Sequence, residues 1–259
     1  MSYLRLESEL RAKRDAGRKL LVPYVTGGLA GWIEAVHAAA AAGADAIEIG
    51  IPFSDPVMDG PVIQQASQSA LDHGATPVNI LDAVRSIDID VPLVVMCYYN
   101  TVHHAGHERF AASLRSAGIA GAIVPDLPLE ESGPWCAAAD AHEIATVMLA
   151  APTAPDDRLP RVCARARGFV YSVGLLGVTG ERDSLASTAT QLAARLKRIT
   201  DVPVIVGVGV SNAAQAVEAC RVADGVVQGA AVVRRLMELG PDAVGNYVAE
   251  VRAALDGRS

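Results

Sequence analysis

The chain has 259 residues, 51% of them hydrophobic, and its 22 Lys and Arg against 29 Asp and Glu give a formal net charge of −7. This much apolar material supports a sizeable core and is too much for a disordered chain, while the acidic balance argues against a nucleic-acid-binding surface. No apolar run approaches the roughly 18–20 residues of a membrane span, and residues 1–17 lack the apolar region of a secretory signal, so we expect neither a membrane protein nor a secreted one.

The cysteines are widely spaced along the chain and form no C-x-x-C pair: Cys97, Cys136, Cys163 and Cys220. This spacing gives no indication of a zinc site or a thioredoxin-type site. Isolated thiols are typical of the reducing cytoplasm, where they serve as small core residues, so we predict a cytoplasmic protein.

Short apolar runs rich in Val and Ile recur along the chain and predict eight strands. In chain order they are Leu20–Val25, Ala46–Gly50, Leu93–Cys97, Ala122–Val124, Ala145–Leu149, Phe169–Ser172, Val204–Gly207 and Val226–Gln228. Their apolar residues are continuous rather than alternating, which indicates burial on both faces and therefore a parallel sheet.

Longer segments with helical spacing lie between the predicted strands. Among them, in chain order, are Trp32–Ala42, Pro61–His73, Glu108–Ala117, Glu131–Ala141, Asp157–Ala166, Leu185–Ile199 and Asn212–Cys220. Strands that alternate with helices in a chain of this length favour a closed (β/α)8 TIM barrel. We also expect an N-terminal helix and extra short helices in the loops.

The rival architecture is an open doubly wound sheet. That fold more naturally carries a G-x-G-x-x-G turn after its first strand, and the sequence YVTGGL at 24–29 does not supply one. No Pro-, Gly- or Ser-rich linker divides the chain. We therefore predict a single TIM-barrel domain over residues 1–259.

The second predicted strand carries one carboxylate, Glu48, inside an otherwise apolar run. A Glu in such a strand must be neutral, paired or catalytic, because burial disfavours its charged form. Desolvation raises the pKa toward neutrality and suits the group to proton transfer. A salt bridge to a neighbouring strand is an equally good interpretation of the strand alone.

The loop after this strand, residues 51–61, contains three prolines and two more carboxylates, Asp55 and Asp59. Prolines fix the backbone and reduce the entropy lost on ordering, so the loop is built to hold one shape. Asp59 precedes Gly60 and could be a turn residue only. In a barrel, however, active sites lie at the C-terminal ends of the strands, where Asp59 and Glu48 together predict a two-carboxylate site.

Glycine-containing loops follow the last three predicted strands: GLLGVTG at 174–180, GVGVS at 207–211, and Gly229-Ala230. Glycine lets backbone N–H groups approach a ligand closely, and each loop then opens a helix whose N-terminus favours an anion. Loops after the last strands of a barrel are a recurrent phosphate site. The residues alone therefore predict a small phosphorylated molecule facing two carboxylates.

Several motifs resemble those of the tryptophan synthase α chain family, and they span nearly the whole chain. They are EIGIPFSDPVMDGP at 48–61, VPDLPLEES at 124–132, Tyr171, GVTG at 177–180, VGVS at 208–211 and ADG at 223–225. The resemblance implies a TIM barrel that cleaves indole-3-glycerol phosphate to indole and glyceraldehyde 3-phosphate by a retro-aldol step. It implies no metal and no organic cofactor.

The same resemblance implies roles for individual residues. Glu48 is expected to be the general acid/base, Asp59 to stabilise the positive charge that develops on the indole nitrogen, and Thr179 to steady Asp59 when its loop closes. The indole slot is expected to be lined by Tyr24, Tyr171 and Val208. Backbone donors to the phosphate are expected at Gly180, Gly209, Gly229 and Ala230.

The family works beside a β chain, so the resemblance also implies a tryptophan synthase β chain as partner, in an α2β2 heterotetramer. Four residues are candidates for contact with that partner rather than for chemistry: Pro52, Asp55, Asp126 and Pro128.

Two departures from the family pattern keep other functions open. Ala230 stands where the family commonly has Ser, and the lost hydroxyl removes a hydrogen bond to phosphate worth ~1.5–3 kcal/mol, roughly ten- to a hundredfold in affinity. Leu175 and Leu176 replace residues that are more polar in the family. A weakly active allosteric partner subunit or a specialised paralogue that activates a β chain is therefore an alternative, as is a different phosphosugar barrel enzyme such as an isomerase.

Overall fold

The computed structural model describes residues 2–174, 187–207 and 209–257. Its eight parallel strands pair in sequence order and close into a barrel, with the last strand hydrogen-bonded to the first. This confirms the predicted (β/α)8 architecture; that residues 1–259 form one domain stays a prediction. Among the described helices, none combines the length and hydropathy that crossing a membrane requires.

The strands coincide with the predicted runs to within one residue at each end. They are β1 (Leu20–Thr26), β2 (Ile47–Gly50), β3 (Leu93–Met96), β4 (Gly121–Ile123), β5 (Ala145–Ala150), β6 (Val170–Ser172), β7 (Val204–Val206) and β8 (Gly225–Gln228). They are mainly apolar and almost entirely buried, because helices cover the barrel outside and side chains fill it inside.

The helices surround the barrel. They are α1 (Ser2–Asp15), α2 (Trp32–Ala41), α3 (Pro61–Asp72), α4 (Pro77–Val84), α5 (Tyr99–Ala105), α6 (His107–Ser116), α7 (Gly133–Ala141), α8 (Arg158–Arg165), α9 (Ser187–Lys197), α10 (Ala213–Cys220), α11 (Ala230–Leu239) and α12 (Pro241–Leu255). The N-terminal helix and the extra short helices, α4 and α5, are as expected. The predicted start of α9 at Leu185 lies outside the described residues.

Alternate residues of each strand face two separate cores. The inner core contains Leu20 and Val22 of β1 together with inward side chains of the other strands, and the outer core packs strands against helices. Leu6 and Leu10 of α1 belong to the inner core. Leu6 lies so close to Gly121 and Gly168 that a Cβ on either glycine would clash with it. Helix α1 therefore seals the N-terminal end of the barrel and leaves the opposite end as the opening.

A buried carboxylate fastens this sealed end. Asp45, fully buried before β2, accepts hydrogen bonds from the Leu21 amide (3.0 Å), Arg18 (2.7 Å) and Arg252 of α12 (3.2 Å). A buried charge is stable only when it is paired in this way. The network joins the beginnings of β1 and β2 to α12. It therefore fixes the N-terminal ends of the two strands that carry the first candidate residues.

Candidate active site

The register of β1 and β2 brings the first candidate residues together at the open end of the barrel. Tyr24 pairs with Glu48, and Thr26 pairs with Gly50. Tyr24 lies two residues after Val22, and Glu48 lies two residues after Ala46; both Val22 and Ala46 belong to the inner core. Because side chains alternate between the two faces of a strand, those of Tyr24 and Glu48 also face the barrel interior. The alternation along two short strands thus places a phenol beside a carboxyl group.

Glu48 is only 3% exposed, and its Oε2 atom has no hydrogen-bond partner. Burial, with a smaller contribution from the negative charge of Asp59, raises the pKa of the Glu48 carboxyl to about 8. A salt bridge would have lowered this pKa instead. Of the two interpretations of the sequence, the structure therefore favours a carboxyl group that is protonated at neutral pH and can donate its proton.

Asp59 lies in the loop between β2 and α3 and is 5% exposed. Burial raises the pKa of its carboxyl group to about 6, and a hydrogen bond from the Tyr98 hydroxyl opposes part of this rise. Asp59 is therefore mainly ionised at neutral pH, whereas Glu48 is mainly protonated. Two neighbouring carboxyl groups whose pKa values are pushed apart are typical of acid–base sites.

Tyr98 is a site residue that the sequence interpretation missed. It follows β3, is buried, and its hydroxyl accepts a hydrogen bond from the Met58 amide (3.0 Å) while its ring stacks on Phe53 (centroids 5.2 Å apart). Burial and the charge of Asp59 hold the pKa of the Tyr98 hydroxyl well above its usual value, so it remains a hydrogen-bond donor. One signal was available: a polar aromatic residue directly after a predicted barrel strand.

Two further tyrosines, Tyr24 and Tyr171, lie at the opening; that they bind an indole ring stays a prediction. The Tyr24 hydroxyl lies over Gly50 and the Tyr171 ring lies over Gly207, so closely that a side chain on either glycine would overlap the phenol. Burial, together with the charges of Glu48 and Asp59, raises the pKa of both tyrosines well above 10. Each phenol therefore packs on a glycine at the C-terminal end of the neighbouring strand, Gly50 as the last residue of β2 and Gly207 directly after β7, where a larger residue would overlap the ring.

The glycine-rich side of the opening is described in part. Gly209 has φ +86°, a backbone conformation that favours glycine, and Gly229 is the N-cap of α11, whose first residue is Ala230. The N-terminus of this helix presents backbone N–H groups that suit an anion. Thr179, Gly180 and Val208 lie outside the described residues.

The four candidate partner contacts differ in accessibility. Pro52 is buried within this chain, whereas Asp55, Asp126 and Pro128 are exposed. The Asp126 carboxylate accepts a hydrogen bond from the Tyr99 amide (2.8 Å) at the start of α5, where a negative charge is favourable. Next to Asp55, Val57 is 67% exposed, although it is apolar.

Comparison with known proteins agrees with this geometry. The family model described as tryptophan synthase alpha chain matches residues 10–255. The chain belongs to the tryptophan synthase alpha chain family. The family member of Streptomyces coelicolor is 46% identical over 245 residues, covering 93% of this chain and 90% of that protein. The member from Thermobifida fusca is 43% identical over 263 residues, covering 96% and 97%.

The same family is found among solved structures. A structure of Mycobacterium tuberculosis tryptophan synthase superimposes with a TM-score of 0.90 at 38% identity and covers 97% of this chain and 98% of that one. The relatives thus match over nearly their whole length. Family membership rests on this agreement.

Proposed function

We propose that this chain cleaves indole-3-glycerol phosphate to indole and glyceraldehyde 3-phosphate in tryptophan biosynthesis, with Glu48 as general acid/base and Asp59 as electrostatic stabiliser. Membership of the family supports the lyase activity. The observation that supports the residue roles is the buried pair Glu48 and Asp59, whose pKa values of about 8 and 6 leave one group protonated and the other ionised at neutral pH.

Glu48 begins the reaction as an acid and ends it as a base. Its proton goes to indole C3, which becomes tetrahedral and leaves a positive charge on the ring nitrogen. The Glu48 carboxylate then takes the proton of the glycerol hydroxyl next to the scissile bond, an aldehyde forms, and the electrons of the broken C–C bond restore the neutral indole. The same carboxyl group thus recovers the proton that it donated, and no other reactant is needed.

Asp59 stabilises the intermediate stage of this sequence. Its carboxylate faces the indole N–H and attracts the positive charge that exists only after C3 has been protonated. Stabilisation of charge that develops in the transition state raises the rate rather than the affinity. The hydrogen bond from Tyr98 supports the ionised form of Asp59.

The remaining candidate residues bind the two ends of the substrate. Tyr24 and Tyr171, with Val208, form the slot for the indole ring, and Thr179 steadies Asp59 in the closed state. Backbone N–H groups of the glycine-containing loops hold the phosphate, at Gly180, Gly209, Gly229 and Ala230. The positive φ of Gly209 and the α11 N-terminus at Ala230 support this part of the proposal.

The pH dependence of cleavage tests the two carboxyl roles together. Glu48 must be protonated, so activity should fall as pH rises through about 8, and Asp59 must be ionised, so activity should fall as pH drops through about 6. We expect a bell-shaped profile of kcat/KM with its maximum between these values, measured as indole release. A profile that is flat from pH 5 to 9 contradicts both assignments, and a product other than indole indicates a different phosphosugar enzyme.

We also propose that the chain assembles with a tryptophan synthase β chain as an α2β2 heterotetramer. The exposed residues Asp55, Val57, Asp126 and Pro128 support this. Asp55 and Val57 lie on the loop that carries Asp59, and Asp126 and Pro128 lie on the loop between β4 and α7, where Asp126 accepts the hydrogen bond from the Tyr99 amide beside Tyr98. Contact there can act on the site through the backbone.

Mixing the chain with the β chain of the same organism should produce a complex of four chains by sedimentation analysis and raise kcat for indole release. The absence of a complex at micromolar concentrations contradicts the assembly. If the isolated chain releases no indole but the β chain becomes faster in its presence, the alternative of a weakly active partner subunit is correct instead.

A further inference from the structure

We propose that Gln64 is a positioning residue for Asp59, because its side chain fixes the backbone that presents this carboxylate to the barrel opening. The inference rests on the proposed function, since it assigns Gln64 a part in the cleavage of indole-3-glycerol phosphate.

The side chain of Gln64 folds back across the beginning of α3. Gln64 lies in the first turns of this helix, and its backbone N–H makes the ordinary helical hydrogen bond to the Gly60 carbonyl (2.9 Å). Its side-chain Nε2 instead donates to the Asp59 carbonyl oxygen (2.7 Å). Asp59 precedes the N-cap Gly60, so its carbonyl lies outside the helical hydrogen-bond pattern and is held by a side chain.

A second hydrogen bond holds the other side of the same segment. The Met58 amide donates to the hydroxyl of Tyr98, which comes from the junction of β3 and α5 (3.0 Å). The backbone groups that bracket Asp59 are thus attached to two different elements, one through Tyr98 and one through Gln64. Pro56 and Pro61 restrict the backbone on either side. These two hydrogen bonds and two prolines together restrict the backbone that carries the Asp59 carboxylate.

This attachment matters more for rate than for stability. A single neutral hydrogen bond of this kind contributes little to the free energy of folding. A charged group that stabilises a transition state, however, must be held to within ~0.5 Å, and a displacement of about 1 Å can lower the rate by ~10²-fold. Releasing the Asp59 carbonyl should therefore reduce catalysis while the protein remains folded.

The neighbouring residue provides a matched control. Gln65 is the same residue type on the same helix and, like Gln64, is exposed; within the described part of the chain, however, its side chain makes no hydrogen bond, whereas that of Gln64 does. Successive helical residues point about 100° apart, so the two amides face different surroundings. Gln→Met at either position keeps the chain length and a similar helix propensity but removes the donor.

In kinetic assays of indole release, Gln64→Met should lower kcat about tenfold with KM changed less than ~2-fold, whereas Gln65→Met should change neither. Gln64→Glu, whose ionised side chain cannot donate, should lose at least as much at pH 8. Melting temperatures of the three variants show that each is folded.

The decisive measurement repeats Gln64→Met in an Asp59→Asn background, under single-turnover conditions with enzyme in excess so that slow cleavage remains readable. If Gln64 acts through Asp59, it should have little further effect there, because coupled residues are not additive. An equal loss in both backgrounds, an effect on KM alone, or no effect at all overturns the role of Gln64. A wild-type chain that releases no indole overturns the proposed function itself, and this inference with it.

Discussion

Glu48→Gln should lower kcat for indole release by about 10²–10⁴-fold, because a general acid/base contributes on that order and a glutamine amide cannot donate the proton to indole C3. The variant keeps the shape and the hydrogen-bonding capacity of the side chain, so KM should change far less than kcat. The residual activity should also lose its decline near pH 8, since that limb belongs to Glu48. Steady-state rates between pH 5 and 9 measure both effects.

Stability measurements separate this loss from misfolding. The pKa of Glu48 is raised from 4.5 to about 8 by folding, so its stabilising effect is fully present below pH 4.5 and is lost as pH rises to about 8. Gln does not titrate, and Glu48→Gln should therefore gain stability relative to wild type over this range, on the order of a few kcal/mol.

Urea denaturation at pH 5 and pH 8.5 checks this gain. Glu34→Gln, the same change at an exposed position of α2, should leave rate and stability unaltered. Undiminished turnover of Glu48→Gln rejects the assignment of the acid.

Asp59→Asn should lower kcat by about 10²–10³-fold, because removal of one preorganised electrostatic partner of a developing charge has an effect of that size. Asparagine can still accept a hydrogen bond from the indole N–H, so ground-state binding should be retained, but it carries no charge to stabilise the positive ring nitrogen. The decline in activity near pH 6 should disappear with the carboxyl group that causes it.

The same variant has a second, directional effect. The charge of Asp59 contributes to the raised pKa of Glu48, so its removal should lower that pKa and move the alkaline limb of the profile to lower pH. A turn residue with no catalytic role would leave the limb in place. Asp88→Asn makes the same substitution at an exposed position after α4 and is the control for the loss of one negative charge outside the site. If the alkaline limb of Asp59→Asn is not shifted, the charge of Asp59 does not act on the pKa of Glu48, and the paired site is contradicted.

Much of the fold follows from local sequence. The continuous apolar runs predicted all eight strands because parallel strands are buried on both faces, but the second strand alone left open whether Glu48 is catalytic or forms a salt bridge. Short elements were harder: α4 and α5 were expected only as unspecified short helices, since seven or eight residues carry little periodic signal.

The site could be predicted where its residues lie on one local segment, and not where it is built across segments. Glu48 and Asp59 belong to one motif, so sequence and resemblance predicted both as members of the candidate site. Tyr98 and Met58 are 40 positions apart, and only closure of the barrel brings them together. The side chain of Gln64 reaches just five residues back, but its direction depends on how the loop enters α3.

The sequence by itself determined the parallel barrel and the presence of a carboxylate in its second strand, because hydrophobic periodicity and strand alternation are local properties. Only the tertiary structure decided the protonation of Glu48 and Asp59, because desolvation and mutual charge depend on what surrounds each group. The tertiary structure also decided that Pro52 is buried while Asp55 remains accessible. It decided as well that the Tyr98 hydroxyl binds the Met58 amide in the loop between β2 and α3.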